Sequence, residues 1–189
     1  MNKITTIAGL VIAAGTMSAS ADNLLVIDLS VANTLTITST GGNSSASATS
    51  SNFTGYLLAE FFNDASVTPA DLSVSGNLTT NSNASDASAD IFSGGSDFGL
   101  NVWSFSTDTN VSVTAGVQAF VGSTTWTVDA ADYAAMLAGN TSGDIYFGAD
   151  TDDDIAAGAT LIGTWNVVPA PSGLALIGLG GIVAGRRRR

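Results

Sequence analysis

The residues best suited to chemistry lie in GADTDDDIAAG, residues 148–158, where Asp150, Asp152 and Asp154 stand at alternate positions with Asp153 between them. Hard cations such as calcium take several oxygen ligands at about 2.3–2.6 Å, and carboxylates at i, i+2 and i+4 of a tight loop can supply three. An EF-hand loop also needs Gly at its sixth position and Glu at its twelfth, and here those places hold Ile155 and Leu161. That motif is excluded. A calcium site of another loop geometry and a solvated acidic turn between two strands both fit the pattern. Glu60, the only glutamate, lies in the apolar run YLLAEFF. Burial there would raise its pKa and make it a general acid; the alternative is a strand residue whose carboxylate points to solvent.

What is missing decides more. The chain has no His and no Cys, and its five basic residues are Lys3 and Arg186 to Arg189, so Asp22 to Gly185 contains no cationic side chain. All sixteen acidic residues fall between Asp22 and Asp154; the net charge of −11 understates a body that carries −16. A Ser-His-Asp triad, a Cys-His pair, a Ser-Lys dyad and a zinc site of His or Cys are impossible in such a body. It offers no side chain to hold a phosphate and repels phosphate-rich polymers, so nucleic acid is not expected as a partner. Only carboxylate routes remain: a glycosidase-like acid/base pair, an aspartic dyad or a carboxylate-bound metal. No second carboxylate can be assigned to Glu60 from the sequence, and no enzyme activity, catalytic residue or cofactor is expected beyond the calcium alternative. Tyr56, Trp103, Trp126, Tyr133 and Tyr146 could stack on sugar rings in a carbohydrate-binding module, but most occupy alternating positions that would fill a core.

The elements that must carry these residues read as strands. In NTLTITST, Leu35 and Ile37 share one face and Thr34, Thr36 and Thr38 the other; TTWTV sets Trp126 and Val128 together. Val111 and Val113 alternate, Val117, Ala119 and Val121 continue a strand-like pattern, and Leu161, Trp165 and Val167 fall on one face. Thr, Val, Ile and aromatic residues suit a half-buried pleated surface, and Gly, Asn, Ser and Asp interrupt them at short intervals. NFTGYLLAEFF, residues 52–62, fits a central strand or a buried helical turn. Only DAADYAAML, residues 129–137, reads as helix, capped by Asp129 or Asp132. Residues 39–51 and 80–90 are small and polar and read as loops. The expected fold is an all-β, antiparallel, jelly-roll-like sandwich over residues 22–167 with one short helix.

The two ends read as addresses. Lys3, the apolar stretch Ile7–Ala14 and Ala19-Ser20-Ala21 have the parts of a secretory signal peptide, with cleavage between Ala21 and Asp22. At the other end, residues 168–189 read VPAPSGLALIGLGGIVAGRRRR. From Ser172 to Gly185 an uncharged segment spans about 21 Å as a helix, short of the hydrocarbon core of about 30 Å. Arg186, Arg187, Arg188 and Arg189 mark its cytoplasmic side, which places the body outside the inner membrane. The segment has the character of a removable stop-transfer signal.

Signal peptide, Ser/Thr/Asn-rich body, Pro-x-Pro-Ser element, short Gly-rich helix and terminal arginine cluster together resemble the PEP-CTERM sorting family. The element falls on Pro169, Ala170, Pro171 and Ser172, the helix on residues 173–185 and the basic tail on Arg186 to Arg189. Ala170 stands where the family usually has Glu. The resemblance covers about the last 22 residues. It implies recognition by exosortase, a membrane-embedded cysteine transpeptidase of Gram-negative bacteria that often make exopolysaccharide. It also implies transient anchoring in the inner membrane, then a place at the cell surface or in the extracellular matrix of a biofilm. The expected function is that of a structural surface protein, the alternatives being a carbohydrate-binding or adhesive module and a carboxylate-based glycoside hydrolase.

Overall fold

The computed structural model describes residues 21–65, 67, 69, 71–83, 90–93, 97–103 and 110–168. The signal segment, the Pro-Ala-Pro-Ser element and the arginine tail lie outside the described residues. Among the described residues, thirteen strands, two α-helices and a 3-10 turn follow one another. They are β1 (Asn23–Asp28), β2 (Thr34–Ser39), β3 (Ala48–Ser51), β4 (Tyr56–Leu58), β5 (Asp71–Gly76), β6 (Thr79–Thr80), the 3-10 turn Asn81–Asn83, β7 (Asp90–Phe92), β8 (Leu100–Trp103) and β9 (Asn110–Val113). Then come β10 (Phe120–Val121), β11 (Ser123–Val128), α1 (Ala130–Ala138), β12 (Ser142–Phe147), α2 (Asp152–Ala157) and β13 (Thr160–Val167).

Nine strands form one sheet in the order β5-β11-β2-β1-β13-β12-β4-β8-β7, and its two edge strands touch, so the sheet nearly closes on itself. Two ribbons, β3 with β9 and β6 with β10, complete the sandwich- or barrel-like body. Phe120 of β10 meets Tyr56 of β4 at 4.7 Å between ring centroids, which ties a ribbon to the large sheet through the core.

The alternation in β2 holds: Leu35 and Ile37 are fully buried, and their threonine neighbours face outward. There Thr36 and Thr125 share a hydroxyl hydrogen bond of 2.9 Å, and Thr38 and Ser123 one of 2.8 Å. Trp126 and Val128 are buried as the spacing predicts. Each such large apolar side chain contributes about 1.5–3 kcal/mol on burial.

Several expectations are corrected. The sheet is mixed, because β1 runs parallel to β13 while the other pairings are antiparallel. Two antiparallel blocks join at this seam, with Leu25 opposite Trp165 and Ile27 opposite Val167, so the join buries both apolar faces. In β13, Ile162 is buried and Leu161 exposed, the reverse of the expected face. An irregularity opposite Ile145 and Tyr146 shifts the register, and the one extra residue turns Leu161 outward while Trp165 stays buried as expected. Val117 lies exposed beyond a turn; Ala119 is buried as expected, and Phe120, off the expected face, is buried as well. The polar segment 39–51 contains β3, which pairs with β9 through backbone bonds that its composition does not advertise. Among the described residues the body has two helices, not one: α1 falls where expected, with Asp129 as cap, and α2 forms inside the acidic stretch.

Candidate functional site: an acidic cleft beside β12

The two carboxylate features singled out above meet in space. After β4 the chain does not continue as a strand; Ala59 and Glu60 form a turn, and Phe61 and Phe62 then plunge into the core, edge to face at 4.9 Å. Glu60 holds φ at +55°, the left-handed region. A residue with a Cβ pays roughly 1–2 kcal/mol to sit there. The turn is clamped from the α1–β12 junction: the Asn140 amide donates to the Glu60 carbonyl at 2.6 Å, and Asn140 N–H to Phe61 O at 3.1 Å. Ala59 N–H donates to Asp144 O at 2.9 Å. Gly143 lets this crossing close up, because a Cβ there would come within 2.7 Å of Ala59 O and 2.8 Å of Trp165 Nε1.

Glu60, Asp144 and Tyr146 converge with Phe98, Asn63 and Asp152 around an open cleft of about 700 Å³. Its position follows from the strands. Asp144 and Tyr146 project from alternate positions of β12, next to the β4 end that delivers Glu60. The phenol of Tyr146 is pushed above its ordinary pKa first by desolvation and then by the negative charges of Asp144 and Glu60. It therefore stays a neutral hydrogen-bond donor beside two acceptors. Phe98 presents its ring with 43 % of its surface exposed.

The acidic loop forms the far wall. Asp152 opens α2; one carboxylate oxygen accepts from Phe98 N–H at 3.0 Å, and its own N–H donates to Asp97 Oδ1 at 3.1 Å. Asp154 turns back to accept from Asp150 N–H at 3.0 Å. Gly158, at φ +106°, ends the helix in a left-handed cap. The Asp150 and Asp154 carboxyl groups interact. Burial, then the hydrogen bond and charge of Asp154, raise the pKa of Asp150, whereas the Asp150 N–H lowers that of Asp154. Thus Asp150, Asp152 and Asp154 divide their carboxylates among separate backbone partners and one another. Among the described residues no three Asp, Glu, His or Cys side chains are grouped to hold a metal ion.

The other sequence-selected residues disperse. Tyr56 and Trp126 are fully buried core residues, and the Tyr133 hydroxyl is spent on Leu29 O at 2.5 Å. Trp103 is half-buried with its ring 6.4 Å from that of Phe53. Only Tyr146 reaches the cleft. Asp22, the expected first residue after cleavage, is anchored: its carbonyl accepts from Thr164 N–H at 3.0 Å and its carboxylate from Asn43 N–H at 3.1 Å. Sequence reasoning missed Phe98, Asn140 and Asp144. Phe98 sits in SGGSDFG, where no period marks it, and Asp144 reads as one polar position of a strand. No family model matches the chain, and neither a curated protein nor a solved structure does.

Proposed function

We propose that the chain is an exported surface or matrix protein, sorted through its C-terminal signal by exosortase and held only transiently in the inner membrane. Its jelly-roll-like body is a structural or adhesive unit, not an enzyme. One observation supports this reading: the described strands lie between the two address segments. Among the described residues the first strand starts at Asn23, one residue after the expected cleavage point, and the last ends at Val167, two residues before Pro169. The two strands are neighbours inside the sheet, so loss of both addresses would leave each hydrogen-bonded on both sides. A body of sixteen acidic and no basic residues also suits a hydrated, cation-containing matrix. The test is fractionation of native cells with and without their exosortase. The protein should be found at the surface or in the medium in the first case and in the inner membrane in the second. An unchanged distribution would contradict the reading.

A second reading has a specific observation behind it. Phe98 and Tyr146 supply ring surface in one cleft, and Glu60, Asp144 and Asn63 supply hydrogen-bonding groups, the mix that neutral sugars require. In this reading the cleft binds glycan of the surrounding matrix. Replacing both Phe98 and Tyr146 by Ala should abolish retention on an immobilised neutral polysaccharide while the circular dichroism spectrum is kept. Released reducing ends in the same assay would turn the cleft into that of a hydrolase; none are expected.

A further inference from the structure

The chain leaves the body beside an apolar groove of about 460 Å³, lined by Leu29, Met136, Leu137, Val167 and Val168 together with the α1–β12 turn. The strand directions fix which end of the body this is. Val168 N–H donates to Ile27 O at 2.7 Å and Val167 N–H to Thr141 O at 2.8 Å, so the end of β1, the end of β13 and the start of β12 lie together. The β1–β2 turn with Val31 and the start of β5 with Leu72 belong to the same end, through the pairing of β2 and β5 with β11. Val31, Leu72, Leu137 and Val168 are 62, 68, 55 and 41 % exposed, four of the nine large apolar side chains that face solvent among the described residues.

We infer that this end of the body rests on the bilayer interface while the tail is in place, with Leu137 and Val168 inserted among the lipid headgroups. The inference rests on the sorting-signal reading of the tail, and the linker supplies the reason. From Val168 to the start of the uncharged segment at Ser172 there are four Cα–Cα steps, about 14 Å at full extension. A body so tethered has to present its exit end to the membrane, and the apolar side chains are there to meet it. Interfacial apolar groups bury to a depth of about 5–10 Å, within reach of such a linker. In α1 the acidic residues Asp129 and Asp132 are kept to the cap and first turn, while Leu137 belongs to the last.

Because the chain contains no cysteine, single-cysteine labelling tests this cleanly. The tail-bearing protein, exported from a host without exosortase, carries an environment-sensitive fluorophore at Leu137→Cys, at Leu161→Cys or at Leu176→Cys. It is reconstituted in phosphatidylcholine vesicles containing nitroxide-labelled lipid. Leu161 opens the opposite end of β13 and is also exposed, so it serves as the control. Quenching at Leu137 several-fold greater than at Leu161 is the expected result. Equal quenching at Leu137 and Leu161, with strong quenching at Leu176, overturns the docking while leaving the tail in the membrane. Weak quenching at Leu176 as well overturns both the docking and the tail reading on which it rests.

Discussion

At the scale of single residues, the cleft is bought with backbone strain at Glu60. A glycine would adopt φ +55° without the Cβ penalty, so Glu60→Gly should stabilise the fold by about 1 kcal/mol. The same change should remove polysaccharide retention if the cleft binds glycan. Urea denaturation of the two forms measures the first effect, and a less stable Glu60→Gly would show that the carboxylate itself holds the turn. Asp150 gives a second prediction, with its sign set by its raised pKa. A carboxyl whose folded pKa lies above its unfolded value stabilises the fold below the unfolded pKa, and that contribution is lost as pH rises through the folded one. Asp154, lowered, works in the opposite sense: its contribution is present above the unfolded value and lost as pH falls through the folded pKa. Asp150→Asn keeps a neutral group beside Asp154 at every pH. The loss of melting temperature between the acidic range and pH 7 should therefore be smaller in this variant than in the wild type. An identical pH profile would mean that Asp150 has the same pKa in the folded and unfolded chain.

At the scale of elements, α1 was legible and α2 was not, and the difference is physical. Asp129 precedes an alanine-rich run, and its carboxylate accepts from Ala131 N–H and Asp132 N–H, both at 2.8 Å. Asp129→Ala should cost about 1 kcal/mol, read from the shift in urea midpoint at unchanged slope. A loss within error would assign the helix end to packing alone. In α2, Asp152, Asp153 and Asp154 of the suggested cation loop are the helix's own first turn, where the positive end of the helix favours negative charge, and Asp150 precedes the cap. Alternation located β2 and β11 because each has one buried face. In β13 it placed Trp165 in the core but not Leu161, which a one-residue irregularity turns outward, and it missed β3, whose Ser/Thr residues pair through the backbone. Asn101, invisible to pattern reasoning, is a buried polar anchor whose amide reaches the carbonyls of Thr54, Tyr56 and Ala149 at 2.7–3.1 Å. The cleft itself was half legible: Glu60 and the acidic loop drew notice as chemistry, but only the fold places them on facing walls with Asp144, Tyr146 and Phe98.

At the scale of the whole molecule, charge dominates. Sixteen carboxylates without a cationic partner repel one another over distances that salt screens; the Debye length is about 10 Å at 0.1 M. The melting temperature should rise by several degrees from low salt to about 0.5 M sodium chloride, and a chelator at fixed ionic strength should leave it unchanged. A fall on chelation would reveal a tightly held cation that the described carboxylates do not suggest. The central claim is that the body is a self-contained export cargo whose tail is removed after it has served as a sorting signal. The mass of the C-terminal peptide from native cells tests it most directly. Trypsin has no site between Asp22 and Gly185, so cleavage at Asp is used, which releases the end of the chain after Asp154. A terminus at or just before Ser172, with or without an attached group, is the predicted result; a peptide that still ends in Arg189 would contradict the account.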